Sequence, residues 1–194
     1  MNTNFKIINS LLVICFILIE CRTVQRIKKH EDVKDISGDW NDRDYRTTSK
    51  ELSEKLIYES WRTRFINKNN RLPKIMVGSI RNRTSEHNIT KVMGILVANL
   101  ERELLKTGEV IISGNKALRD EVAQTGLTPE MRAALSQGEN GSDFILTGEI
   151  TSLEDVYNKK EVRTYMISLS LIELTTGNKV LILSKDDIIK YIRG

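Results

Sequence analysis

The chain has 194 residues, 40% of them hydrophobic and 29% charged, the balance of a folded domain of ordinary size with extra segments rather than of a disordered chain. Thirty Lys+Arg against 26 Asp+Glu leave a formal charge of +4. The signs alternate along the chain and never build a basic block, which argues against a nucleic-acid partner.

At the N-terminus, Lys6 precedes an apolar run from Ile7 to Ile19. About a dozen apolar residues suit the hydrophobic region of a secretory signal and fall short of the ~20 needed to span a bilayer. Leu18-Ile19-Glu20-Cys21 has the Leu-x-x-Cys spacing of a bacterial lipobox, with Glu20 where small residues are usual. Cys15 would leave with the signal, so Cys21 is the single thiol of the mature chain and has no intrachain disulfide to form. Thioether lipidation of Cys21 accounts for it; an uncleaved short anchor is the alternative. The expected organisation is a lipoprotein signal peptide over residues 1–20, a lipidated N-terminus and charged tether over 21–37, and a globular domain over 38–194. Fully extended, the tether reaches roughly 50 Å at ~3.3 Å per residue.

Within the domain, Thr48-Ser49-Lys50-Glu51 fits a capping box that opens a helix to about Asn67, with Ile57, Trp61 and Phe65 on one face. Pro73 then leads into a strand from Lys74 to Ile80. Thr84 or Ser85 is expected to cap the next helix, with Glu86 in its first turn. Its apolar stripe runs Ile89, Val92, Met93, Leu96, Val97, Leu100 and Leu104, and Lys106 and Gly108 mark the stop. Glu109–Ser113 reads as a second, buried strand, and Lys116–Gln124 as a short charged helix. Thr128-Pro129-Glu130 starts a further helix ending at Gly138. Phe144, Leu146, Gly148 and Ile150 alternate as a third strand, and Tyr165, Ile167, Leu169 and Leu171 as a fourth. The turn Thr175–Asn178 leads into a fifth, Val180–Ser184, completing an antiparallel meander. The expected fold class is α+β or α/β: one three-layer-type domain with a mixed, partly antiparallel sheet of about four to five strands flanked by helices.

The usual chemistries find few residues to use. The domain holds His87 alone and no cysteine, too few ligands for a transition-metal site. Asp39–Asp44 fails as a calcium loop because Arg43 takes a ligand position and the central glycine is missing, so it reads as an Asx-rich turn before a helix. Ser79 and Ser85 could approach His87, but Gly78-Ser79-Ile80 lacks the second glycine of a nucleophile elbow. No glycine-rich phosphate loop is present. No catalytic residue, metal, cofactor or small-molecule substrate is therefore expected. A binding surface is. Arg81, Asn82, Arg83, Glu86 and His87 sit at a strand-to-helix junction, where a rigid scaffold presents side chains on a solvated loop. The two guanidinium forks suit carboxylates on a partner. Trp40 and Trp61 read as buried core, with interface anchors as the alternative.

Four motifs in order carry a resemblance. Ser37-Gly38-Asp39-Trp40-Asn41-Asp42-Arg43-Asp44 comes first, then Leu72–Gly78 followed by Arg81-Asn82-Arg83-Thr84-Ser85-Glu86-His87-Asn88. Gly138–Ile150 and Tyr165–Gly177 complete the series. Together, behind a lipobox, they resemble the LpoB family of penicillin-binding-protein activators over nearly everything from Ser37 onward. The resemblance implies an outer-membrane lipoprotein whose periplasmic domain is similar to the N-terminal domain of TolB. Such a protein would bind a class A penicillin-binding protein, stimulate peptidoglycan polymerisation and crosslinking, and catalyse nothing itself. The chain departs from the family in its short tether and in a last strand, Val180–Ser184, without the tryptophan often seen there. A structural or secretion-associated envelope lipoprotein, of the kind related to CsgG and TolB, is the other function class the resemblance leaves open.

Overall fold

Asn41 starts the first helix. In the computed structural model, which describes residues 40–192 apart from 115, 138–140, 158 and 159, the Asn41 side chain accepts from the Arg43 and Asp44 N–H groups. The Asp44 carboxylate accepts from the Asn41 N–H at 2.9 Å, closing a reciprocal cap. Helix α1 therefore spans Asp42–Tyr58. The expected box at Thr48–Glu51 lies inside it. Thr48 and Ser49 are fully buried there, and the Ser49 hydroxyl donates to the Tyr45 carbonyl at 2.7 Å instead of capping anything. The Asx-rich turn supplies the cap that the later Thr48 motif only mimics.

A single helix to Asn67 is also not what forms. Glu59 is extended (φ −73°, ψ 149°) and breaks the run, so that α2 covers Ser60–Asn69. The break turns Trp61 inward, where its indole N–H donates to the Leu56 carbonyl at 2.7 Å and its ring meets Phe144 edge-on at 5.1 Å. Both tryptophans are core residues, Trp40 at 6% and Trp61 at 3% exposure.

Strand β1 runs Lys74–Asn82, α3 His87–Thr107, β2 Ile111–Ile112, α4 Lys116–Thr125 and α5 Pro129–Ser136. Three longer strands follow: β3 Phe144–Tyr157, β4 Lys160–Glu173 and β5 Lys179–Ile192. Helix α3 stops at Gly108, whose left-handed φ of 68° is cheap for glycine alone. Thr128 accepts from the Met131 N–H to cap α5, as its Thr-Pro-Glu sequence predicts. The expected end of that helix at Gly138 lies outside the described residues, as do the signal segment, Cys21 and the tether.

The sheet order is β2-β1-β3-β4-β5, with β2 and β3 parallel to β1 and the β3-β4-β5 meander antiparallel. This is the mixed α+β sheet anticipated. Two details differ. β2 is a two-residue edge strand with Ile111 44% exposed, not a buried strand. β5 continues well past Ser184 to Ile192, with a register irregularity against Tyr165 and Ile167.

One face of the sheet is covered by α1, α2 and α3. Leu52 and Leu56, then Leu96, Leu100 and Leu104, pack on Ile75, Val77, Leu146, Ile150, Tyr165, Ile167 and Leu169. Each such side chain contributes about 1.5–3 kcal/mol through burial. The other face is covered at one end only, where Val122, Met131 and Leu135 close over Met76, Ile145 and Leu174. Beyond those helices no described residue covers the second face.

Two lysines of β5 point into the covered layer. Lys185, its side chain 7% exposed, pairs with Glu51 at 2.6 Å and Asp187 at 2.7 Å. Lys190, 3% exposed, pairs with Asp44 at 2.8 Å. They fasten the far end of the meander to α1.

Candidate partner-binding surface

The junction between β1 and α3 is built around Asn82. Its carboxamide oxygen accepts from the Thr84 N–H at 2.9 Å and the Thr84 hydroxyl at 2.8 Å. Its amide donates to the Glu86 carbonyl at 2.7 Å and to the Thr90 hydroxyl at 2.9 Å. The Thr84 hydroxyl in turn accepts from the Glu86 N–H at 3.1 Å. Thr84 thus folds the turn, while Glu86 itself is the N-cap residue of α3 and makes no side-chain cap bond. The expected Thr84 or Ser85 cap is displaced by this Asx turn, which takes the hydroxyl first.

The Glu86 carboxylate is committed to the interior. It accepts from the Tyr165 hydroxyl at 2.6 Å and pairs with Arg163 at 2.9 Å, with side-chain exposures of only 10% for Glu86 and 14% for Arg163. Arg163 also reaches Glu154 at 2.8 Å on the neighbouring strand. The Trp40 ring packs edge-on against Tyr165 at 5.3 Å and Tyr45 at 5.5 Å. Burial, and then the charges of Asp44 and Glu86, push the Tyr45 phenol well above the usual tyrosine range. Burial, and then the bond to Glu86, do the same for Tyr165. Burial works against the Lys185 charge, but the bonds to Asp187 and Glu51 outweigh it and hold its pKa above that of an ordinary lysine. All three groups bind their proton more tightly folded than unfolded. Stability is accordingly at full value below about pH 10, where unfolded tyrosine and lysine begin to titrate, and falls as pH rises beyond it. Urea midpoints measured across the alkaline range, with phenolate absorbance followed in parallel, are expected to decline there and to flatten in a Tyr45→Phe/Tyr165→Phe variant.

The junction therefore does not present its five polar residues together. Asn82 and Glu86 are structural ties. Arg81, Arg83 and His87 are exposed. Arg83 leans on Glu149 at 3.7 Å, both more than half exposed, so that contact is weak. Arg81 points to the open face of the sheet.

There it borders a groove of about 360 Å³ beside the edge of α4. Thr147, Ser168 and Ser170 form its floor, with Lys179 and Ile182 from β5 along the side away from β1. Among the described residues, no side-chain hydrogen bond or ion pair engages Arg81, Lys179 or the three floor hydroxyls. The alternation Tyr165-x-Ile167-x-Leu169 was readable as one buried face; its complement, Ser168 and Ser170, was the signal that the opposite face is not closed. Arg163, Tyr165 and Lys179 gave no comparable sign of their roles. No group of His, Cys, Asp or Glu among the described residues is placed to hold a metal ion, and no helix among them is long and apolar enough to cross a membrane.

Comparison with known proteins follows the same line. The model of a family described as the peptidoglycan-synthase activator LpoB matches residues 44–184. No curated protein matches the chain by sequence. The C-terminal domain of LpoB from Escherichia coli is similar in structure at 15% identity and a TM-score of 0.50, over 75% of this chain and 98% of that one. The corresponding domain from Salmonella enterica gives 14% identity and a TM-score of 0.47, over 74% and 97%. Lipoprotein GNA1162 from Neisseria meningitidis gives 19% identity and a TM-score of 0.41, over 61% and 83%. At 15% identity the Escherichia coli structure speaks for the fold alone, and the family match speaks for descent: the chain belongs to the LpoB family of peptidoglycan-synthase activators.

Proposed function

We propose that this protein is an outer-membrane lipoprotein, anchored through Cys21, whose periplasmic domain binds and activates a class A penicillin-binding protein. The family match over residues 44–184 carries this reading. The lipobox-like Leu18–Cys21 supports the anchor, and the open sheet face supplies a surface for a protein partner. Mechanistically, the domain binds one conformation of the synthase better than the other and shifts its population toward the active state; it performs no bond-making step itself. Arg81 and Arg83, with His87 beside them, are the junction residues able to reach such a partner.

The test is reconstitution. The purified domain, residues 22–194, is added to each class A synthase of the source organism with lipid-linked precursor, and glycan polymerisation is followed. Stimulation of about fivefold or more is expected, the low end of an allosteric coupling of about 1–3 kcal/mol. No binding and no stimulation of any of them would end the proposal. For the anchor, Cys21→Ala should move the protein from the membrane to the soluble fraction; a variant that stays with the membrane would argue for an uncleaved N-terminal helix instead.

A further inference from the structure

We propose that the groove on the open face of the sheet is where an acidic, extended segment of the synthase docks; this deepens the reading above and rests on it. The register shows what the groove offers. Arg81 stands in the row Arg81–Glu149–Ser168–Ser184, and Ile182 and Lys179 in the next two rows toward α4 and α5. Arg81 and Lys179 thus lie at opposite corners, on strands three spacings apart, about 14 Å at the ~4.8 Å separation of neighbouring strands. Both cations lack partners among the described residues. Glu149 is the acidic residue lining the groove, and Arg83 leans on it at 3.7 Å. The surface therefore favours a carboxylate-bearing occupant.

The floor adds a second kind of recognition. The Thr147, Ser168 and Ser170 hydroxyls can each donate and accept, and so can satisfy the main chain of an extended peptide lying across the strands. Farther along the same face the alternation places Met166, 43% exposed, and then Leu153 and Ile189, 69% and 56% exposed, which occupy one row on either side of Thr164. Ile182 is 60% exposed at the groove itself. An apolar patch continuous with a cationic groove is the anatomy of a protein interface, with area from the patch and orientation from the charges. A second copy of this chain is a poor occupant. Two such faces meeting would set Arg81 and Lys179 of each against the cations of the other.

The proposal is tested with the full chain and the class A synthase that it stimulates. Arg81→Glu/Lys179→Glu reverses the two corner charges at exposed positions. Arg64→Glu/Lys68→Glu makes the same change in net charge on α2, across the sheet, and serves as control. Ser170→Trp fills the groove with no change of charge, and circular-dichroism melts establish that each variant folds. The first pair and Ser170→Trp should each weaken synthase binding about tenfold or more, with stimulation falling in parallel, while the control stays within about twofold. The salt dependence of binding should also flatten in the Arg81/Lys179 variant alone. Wild-type affinity in both groove variants, with the wild-type chain stimulating normally, would overturn the docking site and leave the proposed function intact. Equal losses in the control and the groove pair would reduce the effect to net charge and overturn it as well. A wild-type chain that stimulates no synthase would remove both.

Discussion

Replacing Glu86 by alanine should destabilise the domain by about 3–5 kcal/mol, the usual cost of deleting one partner from a buried ion pair. The carboxylate is the acceptor for the Tyr165 hydroxyl and the less exposed of the two anions that pair with Arg163. Without it, Arg163 keeps Glu154, but that side chain is 55% exposed and solvent screens it. Tyr165 is itself fully buried, so its hydroxyl would lose its acceptor in a place that water reaches poorly. Glu86→Gln retains an oxygen for Tyr165 and removes only the charge, so its loss should be smaller. For a domain of this size the alanine change corresponds to a fall of roughly 10 °C in Tm. Thermal and urea unfolding of the two variants check the order. A loss under about 1 kcal/mol for Glu86→Ala would mean that the Asn82 turn, not the ion pair, holds the junction.

Gly148→Ala should cost about 2 kcal/mol or more, an overpacking penalty from one methyl group. Gly148 pairs with Ile80 on one side and Leu169 on the other, in the middle of the sheet. A Cβ there would drive into the Ser168 carbonyl oxygen and the Leu169 side chain. The Leu169 methyl can swing away, but the carbonyl belongs to the β3–β4 ladder and moves only if that ladder opens. Gly94→Ala supplies the opposite sign. Gly94 is exposed within α3, nothing lies within 4 Å of an added Cβ, and its φ is not left-handed. Relieving a mid-helix glycine there should stabilise by about 0.5–1 kcal/mol. Both are read by urea midpoints, and equal shifts in the two variants would contradict the packing argument.

The elements that were legible in the sequence are those whose signal is local. The stripe from Ile89 to Leu104 and the alternation from Tyr165 to Leu171 each bury one face of one element, so a period suffices to find them. The start of α1 was not legible in that way, because Asn41–Asp44 and Thr48–Glu51 both satisfy the capping pattern. What separates them is that Thr48 and Ser49 are buried, with Thr48 beside Lys185 and Ile188 of β5, more than a hundred positions away. The far ends of β3, β4 and β5 were missed for a related reason. Glu154, Arg163, Lys185 and Lys190 look like loop residues along the chain. In register, Glu154 faces Arg163 and pairs with it, while Lys185 and Lys190 find Glu51 and Asp44 on α1, so these charges have partners far along the chain. A strand-to-helix junction does form between Asn82 and His87, but burial divides its side chains. Glu86 turned inward to Arg163, Asn82 was consumed by its own turn, and Arg81 faced a groove whose far corner comes from a strand nearly a hundred residues later.

The buried lysines of β5 also decide what this sheet cannot become. A long terminal strand is an open template, and chains with such templates polymerise edge to edge. Here one margin is β2, only two residues long. The other is bulged beside Tyr165, and on either side of the bulge Lys185 and Lys190 are tied to Glu51 and Asp44. Drawing that half of β5 flat to receive a new strand would pull both ammonium groups from their carboxylates. Among the described residues both rims thereby resist edge-to-edge pairing, and encounters with other molecules are left to the faces.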